Sequence, residues 1–200
     1  MELAIRSYHP SDLVSIYNIC LLTGNSGKDA SHLFNDPNLL GHFYAAPYAV
    51  LEPGLCFILT VDKKPCGYIL GTQNSENFAV NSEKHWFPVL RPQYPLDKKY
   101  KSAMESRIVQ LIHEGYKPKP GLLNYPAHLH IDILPVAQRK GMGRKMIETF
   151  TGKLRSLNVP ALHLEVGKQN KNAVLFYQKA GFEIIHEYEF SIAFGMKLEN

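Results

Sequence analysis

The sequence predicts a mixed α/β fold, and three stretches carry that prediction. Residues 127–150 pass from a short apolar strand (Leu129, Ile131, Ile133) through Pro135 and a basic, glycine-spaced turn into a helical pattern; the turn reads Gln138, Arg139, Lys140, Gly141, Met142, Gly143. Residues 161–166 alternate as a strand, and 170–182 read as a capped helix that stops at Gly181. Residues 55–62 and 67–72 read as two strands of a hairpin joined through Lys63, Lys64 and Pro65.

The other elements follow in order. Residues 3–8 form a first strand, and Ser11 or Asp12 can cap a helix that runs through Ile16 and Ile19. A polar, glycine-containing loop spans 23–30, and a weaker helical segment extends to about Phe43. Residues 74–126 then hold Trp86, five prolines by Pro120 and a helical pattern from Lys99 to Glu114. A long connection of this kind is expected to shape a substrate site. The helix after the glycine turn runs from Gly143 to about Leu157. In the next helix, over 172–180, Asn170 or Asn172 is the cap, and Ala173, Val174, Phe176 and Tyr177 face inward. Strands near 183–190 and 192–198 close the chain. Neither a repeat nor a linker interrupts it, so residues 1–200 are expected to form one domain.

Composition narrows the function. Lys and Arg number 22 against 18 Asp and Glu, a net charge of +4 spread along the chain. That balance suits an anionic ligand and does not argue for nucleic acid. Cys20, Cys56 and Cys66 show no C-x-x-C spacing, and reduced core thiols are expected, with a bridge between Cys56 and Cys66 across the hairpin as the alternative. The N-terminus lacks a signal-peptide pattern, and the longest apolar run, 55–61, is too short to span a bilayer. The expected location is the cytoplasm, with no membrane partner.

A strand, a glycine-rich turn and a helix N-terminus make an anion cradle: first-turn N–H groups lack partners and the helix dipole favours negative charge. The turn is no Walker loop, because Gly-Lys-Ser/Thr is absent, and no G-x-G-x-x-G fingerprint. Gln-x-x-Gly-x-Gly over 138–143 resembles instead the coenzyme A pyrophosphate loop of the GNAT acetyltransferase superfamily. Asn-x-x-Ala-x-x-x-Tyr-x-x-x-Gly-Phe over 170–182 resembles that family's second coenzyme-binding segment, in the right order and at the right distance. The opening at 5–20, the hairpin, the Trp86–Tyr94 stretch and the lead-in at 123–134 are similar, more narrowly, to the acetyltransferase-like C-terminal domain of O-GlcNAcase.

The resemblance implies a GNAT fold: a twisted, mostly antiparallel sheet whose central strands splay apart, with helices on both faces and an insertion at about 74–126 on the acceptor side. It implies acetyl-CoA as cosubstrate, held by Ile133, Leu134, Gln138, Arg139, Lys140, Gly141, Met142, Gly143, Arg144, Asn170 and Tyr177. The pantetheine arm would pair with 131–134, and amides at Ile133 and Leu134 would face the acetyl oxygen. The activity implied is direct acetyl transfer to a primary amine in a ternary complex. The alternative is a non-catalytic pseudo-acetyltransferase module that binds coenzyme A or a peptide; the retained glycine loop favours binding of the coenzyme. Either a monomer or a homodimer fits.

Catalysis needs an acid for the departing thiolate and a base for the ammonium. Tyr177 stands at the family's acid position, and a phenol can donate to a thiolate; the competing reading is a packed ring with a satisfied hydroxyl. Glu165, where some relatives carry a catalytic glutamate, is a base or only a hydrogen-bonding partner. His128, His130 and Asp132 alternate, so they share one face of their strand. They read as a proton relay, with Asp132 among the catalytic candidates, as a polar network that orders the strand, or as partial zinc ligands without a fourth; no metal is expected. Arg139, Lys140, Arg144 and Lys145 oppose the helix dipole, which makes an anionic ligand credible there. Trp86, His85, Phe87 and Tyr94 line an acceptor pocket or form a satellite core. Neither motif contains a cysteine, so an acyl-enzyme is not expected.

Overall fold

Alternating apolar residues pair seven segments into one sheet, and the intervening helices cover both its faces. The computed structural model describes residues 1–198. Strand β1 (Leu3–Ser7) precedes helices α1 (Leu13–Thr23), α2 (Leu39–Tyr44) and α3 (Ala46–Leu51). The hairpin of β2 (Phe57–Val61) and β3 (Lys64–Thr72) leads to α4 (Ser75–His85), α5 (Phe87–Leu90) and α6 (Ala103–Glu114). Then come β4 (Ala127–Ile133), α7 (Met142–Ser156), β5 (Ala161–Gly167), α8 (Lys171–Lys179), β6 (Glu183–Glu187) and β7 (Ser191–Lys197). The strand order is β1-β2-β3-β4-β5-β7-β6. Every neighbouring pair is antiparallel except β4 and β5, which run parallel and pair only at Ala127–Leu162 and His128–His163. Beyond His128 the two central strands part.

Period-2 alternation divides the sheet between two cores. On one face Ile58, Tyr68 and Leu70 meet Ile16, Ile19 and Phe43 of the early helices and Phe78, Phe87, Ile108 and Ile112 of the inserted ones. On the other, Leu59, Ile69, Leu129 and Leu162 meet Met146, Ile147, Phe150 and Leu154 of α7 and Tyr177 of α8. Where β3 passes under α7, Gly71 leaves no room: an added Cβ would lie 2.3 Å from the His128 carbonyl oxygen and 2.4 Å from Phe150 Cζ. Both neighbours are held, one by the sheet and one by the core. Gly71→Ala is therefore expected to cost about 2–3 kcal/mol through overpacking, read from the denaturant midpoint.

Several boundaries differ from the sequence reading. The hairpin turn is Asp62-Lys63, with Lys64 and Pro65 already in β3. Both turn residues are left-handed (φ 46° and 66°), as a two-residue hairpin loop requires. Pro65 has no N–H for the ladder, and the register shifts between its partner Thr60 and Leu59. Asp12 does not cap α1 by its side chain. It accepts from the His9 N–H at 2.9 Å, closing a capping box around a 3-10 turn, and takes both Arg6 contacts at 2.7 Å. Helix α4 was not expected. Its signal is the Asn74 side chain, which accepts from the Asn77 N–H at 2.9 Å, but its apolar stripe (Phe78, Ala79) is short. All three cysteines are free and buried.

Candidate active site

The parting of β4 from β5 leaves main-chain groups open. Leu134 N–H donates to the Cys66 carbonyl at 2.8 Å, and hydrogen-bonded pairs alternate along an antiparallel ladder. Asp132–Tyr68 and His130–Leu70 are therefore bonded pairs. Ile131 and Ile133 turn their amides the other way, into the gap. This corrects the expectation for Leu134, whose amide is spent on β3; Ile133 is the residue of the pair that keeps an N–H toward the gap. The Ile133 carbonyl accepts from the Gln138 side-chain amide at 2.7 Å, so Gln138 ties the glycine loop to the end of β4.

The loop is shaped by two left-handed residues, Arg139 (φ 59°) and Gly141 (φ 73°). Such residues turn successive N–H groups to a common side. Gly141 begins α7 without a side-chain cap, and the amides of Met142, Gly143 and Arg144 have no acceptor within the helix. The two glycines serve different ends. A Cβ on Gly141 would touch nothing within 4 Å, so its glycine answers to backbone conformation, whereas one on Gly143 would lie 2.9 Å from Phe176 Cζ of α8. The two motifs, separate in sequence, interlock at that contact. Among the described residues Arg139, Lys140 and Lys145 have no carboxylate partner, and Arg144 pairs with Glu148 at 3.0 Å.

Helix α8 starts where the Asn170 side-chain oxygen accepts from the Ala173 N–H at 3.2 Å, so Asn170 caps and retains only its amide for a ligand. Tyr177 is buried, its ring against Phe176, Phe182 and Phe194 at centroid distances of 5.3, 5.7 and 5.9 Å. The ring packs, but its hydroxyl has no hydrogen-bond partner among the described residues. Burial, and then the nearby Asp132 charge, push that hydroxyl well above the ordinary tyrosine range. It stays protonated at neutral pH and is free to donate.

On the opposite side of β4 lies a cavity of about 760 Å³. Its floor is His128 and His130 of β4 with His163 and Glu165 of β5; its walls include Tyr44, Tyr48 and Tyr116, and Leu123 and Phe190 stand exposed at the mouth. Much of the wall comes from residues 74–126. Trp86 and its neighbours do not line it. Trp86 donates to the His42 carbonyl at 2.8 Å, Phe87 and Tyr94 are core residues, and His85 is exposed.

The three alternating residues of β4 divide into two groups. His128 is fully engaged, Nε2 with the Tyr48 hydroxyl and Nδ1 with Ser75 Oγ, both at 2.7 Å. Burial, with His163 and His130 close by, pushes it down to about 3, so it is a neutral network member that orders the strand. His130 stacks on Tyr44 (5.7 Å, 21°), and its Nε2 lies 2.9 Å from Asp132 Oδ2. Asp132 Oδ2 also accepts from the Tyr68 hydroxyl at 2.6 Å. The donors that converge are thus Cys20, His130 and Asp132, within 4.8 Å of one another, and not the set containing His128. Burial pushes the Cys20 thiol up, away from thiolate, and the carboxylate is already held by Tyr68, whereas His130 Nε2 has no hydrogen-bond partner among the described residues. Glu165 reaches the cavity but its Oε2 accepts from Lys119 at 2.7 Å and Ser191 at 3.1 Å. Tyr44, Tyr48, Tyr68 and Ser75 carry no motif; they come together only through the fold.

Comparison with known proteins agrees with this geometry. Residues 115–182 match the model of the acetyltransferase (GNAT) family. Protein O-GlcNAcase of Rattus norvegicus is 27% identical over 184 residues, which cover 90% of this chain and 20% of that protein. The chain thus spans about a fifth of that relative's length. The crystal structure of SsHAT superposes with a TM-score of 0.92 at 33% identity, covering 100% of both chains. The structure of yncA, a putative acetyltransferase from Salmonella typhimurium with its cofactor acetyl-CoA, shares the fold (TM-score 0.56, 12% identity, 98% of this chain and 94% of that one). With a 33% identical relative matched along its whole length and the family's glycine loop in place, the chain belongs to the GNAT acetyltransferase family.

Proposed function

We propose that this protein is an acetyl-CoA-dependent N-acetyltransferase that moves an acetyl group to a primary amine by direct attack in a ternary complex. The observation that carries this is the gap between β4 and β5, paired at only two positions. It offers main-chain groups of Ile131 and Ile133 to an extended ligand, ends at an uncapped helix N-terminus, and borders a cavity lined by both β4 and β5. Met142, Gly143 and Arg144 would hold the pyrophosphate by their amides, with Arg139, Lys140 and Arg144 supplying charge. Ile133 N–H would face the acetyl oxygen, and Asn170 would reach the pantetheine arm through its amide. The cosubstrate brings the activated acyl group; the protein supplies orientation and electrostatics.

Tyr177 is the proposed acid, its unpartnered hydroxyl protonating the departing thiolate. Of the two carboxylates, Glu165 is held by Lys119 and Ser191, and Asp132, held by Tyr68, lies beside the His130 ring. Residues 1–200 would work as one domain whose segment 74–126 forms the acceptor wall. Three unpaired thiols suit a reducing, cytoplasmic setting. Calorimetric titration tests the reading: acetyl-CoA is expected to bind with micromolar Kd, and free CoA alongside it. No heat from either would remove the cosubstrate and every role above that depends on it.

A further inference from the structure

The Asp132–His130 contact has a chemical consequence within the acetyltransferase reading, on which the following rests. His130 lines the cavity, yet its Nε2 atom is shut away from solvent. That nitrogen faces inward, 2.9 Å from Asp132 Oδ2, although not at hydrogen-bonding angle. Its other nitrogen, Nδ1, has no partner among the described residues and is the one left to the cavity side. The remaining titratable neighbours are Cys20 of α1, Tyr44 of α2, Tyr68 of β3 and His128 of β4. Tyr44 and Tyr68 present rings at 5.7 and 5.8 Å, Cys20 is held as a thiol, and His128 as a neutral ring.

We propose that His130 is the residue that takes the proton from the acceptor ammonium, in a tautomer that Asp132 selects. A carboxylate beside Nε2 favours the proton there, which leaves the Nδ1 lone pair directed to the cavity. Tyr68 donates to the same carboxylate oxygen and keeps it in place. The acceptor's N–H bond breaks and the proton goes to Nδ1, giving an imidazolium whose second N–H faces the Asp132 charge. The freed amine then forms its C–N bond at the thioester carbon. As the C–S bond breaks, Tyr177 gives its proton to the sulfur and recovers one from the nitrogen of the collapsing adduct. The proton on His130 leaves to solvent, and the balance closes at one proton released per acetyl transferred. Asp132 acts through the ring and is a positioning residue.

Two readouts test this. In ¹⁵N-histidine-labelled protein with CoA bound, the His130 ring, assigned by its loss in His130→Gln, is expected as the Nε2–H tautomer. Asp132→Asn should shift it toward Nδ1–H. An Nδ1–H ring in the wild type overturns the proposal, because that nitrogen then has no lone pair to accept with. In thiol-release assays with acetyl-CoA and n-propylamine as the probe acceptor, His130→Gln is expected to lower kcat about 100-fold. KM for acetyl-CoA should stay unchanged, and added imidazole should partly restore the rate. Full activity in His130→Gln equally overturns it. Absence of thiol release by the wild type counts against the acetyltransferase reading; the tautomer, read without turnover, decides His130 separately.

Discussion

Tyr177→Phe is expected to lower thiol release about 100-fold or more while acetyl-CoA affinity stays within about twofold. The substitution removes one atom. The ring contacts with Phe176, Phe182 and Phe194 remain, so the second core keeps its packing. The lost hydroxyl satisfies nothing in the protein, so its removal strands no buried donor or acceptor. A structural tyrosine would show the reverse pattern, with a bonded hydroxyl, a stability loss and little kinetic effect. Because burial and Asp132 raise the hydroxyl, it stays protonated through the neutral range and the rate loss should not depend on pH there. Steady-state kinetics with calorimetry decide it, and an unchanged kcat would remove Tyr177 as the acid.

The double variant Gly141→Val, Gly143→Val is expected to abolish measurable acetyl-CoA binding while the protein stays folded. At Gly141 a β-branched residue would have to hold φ near 73°, which costs about 1–2 kcal/mol, or let the loop relax and turn its amides away. At Gly143 the new side chain meets Phe176 and pushes α7 and α8 apart where the two motifs interlock. The fold survives because α7 is anchored further along, through Met146, Ile147, Phe150 and Leu154, all buried. Far-UV circular dichroism should be unchanged and the binding heat lost. Retained binding would show that the loop does not hold the coenzyme.

What was legible in the sequence was local. The glycine loop, the Asn170 cap, the Tyr177 position and the alternation of His128, His130 and Asp132 are all short-range patterns. Each is a direct statement about backbone freedom, orphan amides or the two faces of a strand. Such rules act within a few residues, so they can be read without the fold. Helix α4 escaped because its two apolar contacts are too few to make a period, and the hairpin turn was misplaced because Asp62 and Lys63 carry no glycine signal.

The sequence by itself determined the mixed α/β class, the glycine-spaced turn before α7 and the residues offered for chemistry. Only the tertiary structure decided which of them are available. It spent the Leu134 amide on Cys66, both His128 nitrogens on Tyr48 and Ser75, and Glu165 on Lys119 and Ser191. It left Ile133, the Tyr177 hydroxyl and His130 Nδ1 open. The reason is that a buried polar group must find a partner, and its partner comes from wherever the chain returns. Tyr48 lies 80 residues from His128, and Lys119 lies 46 from Glu165, separations over which no sequence pattern reports.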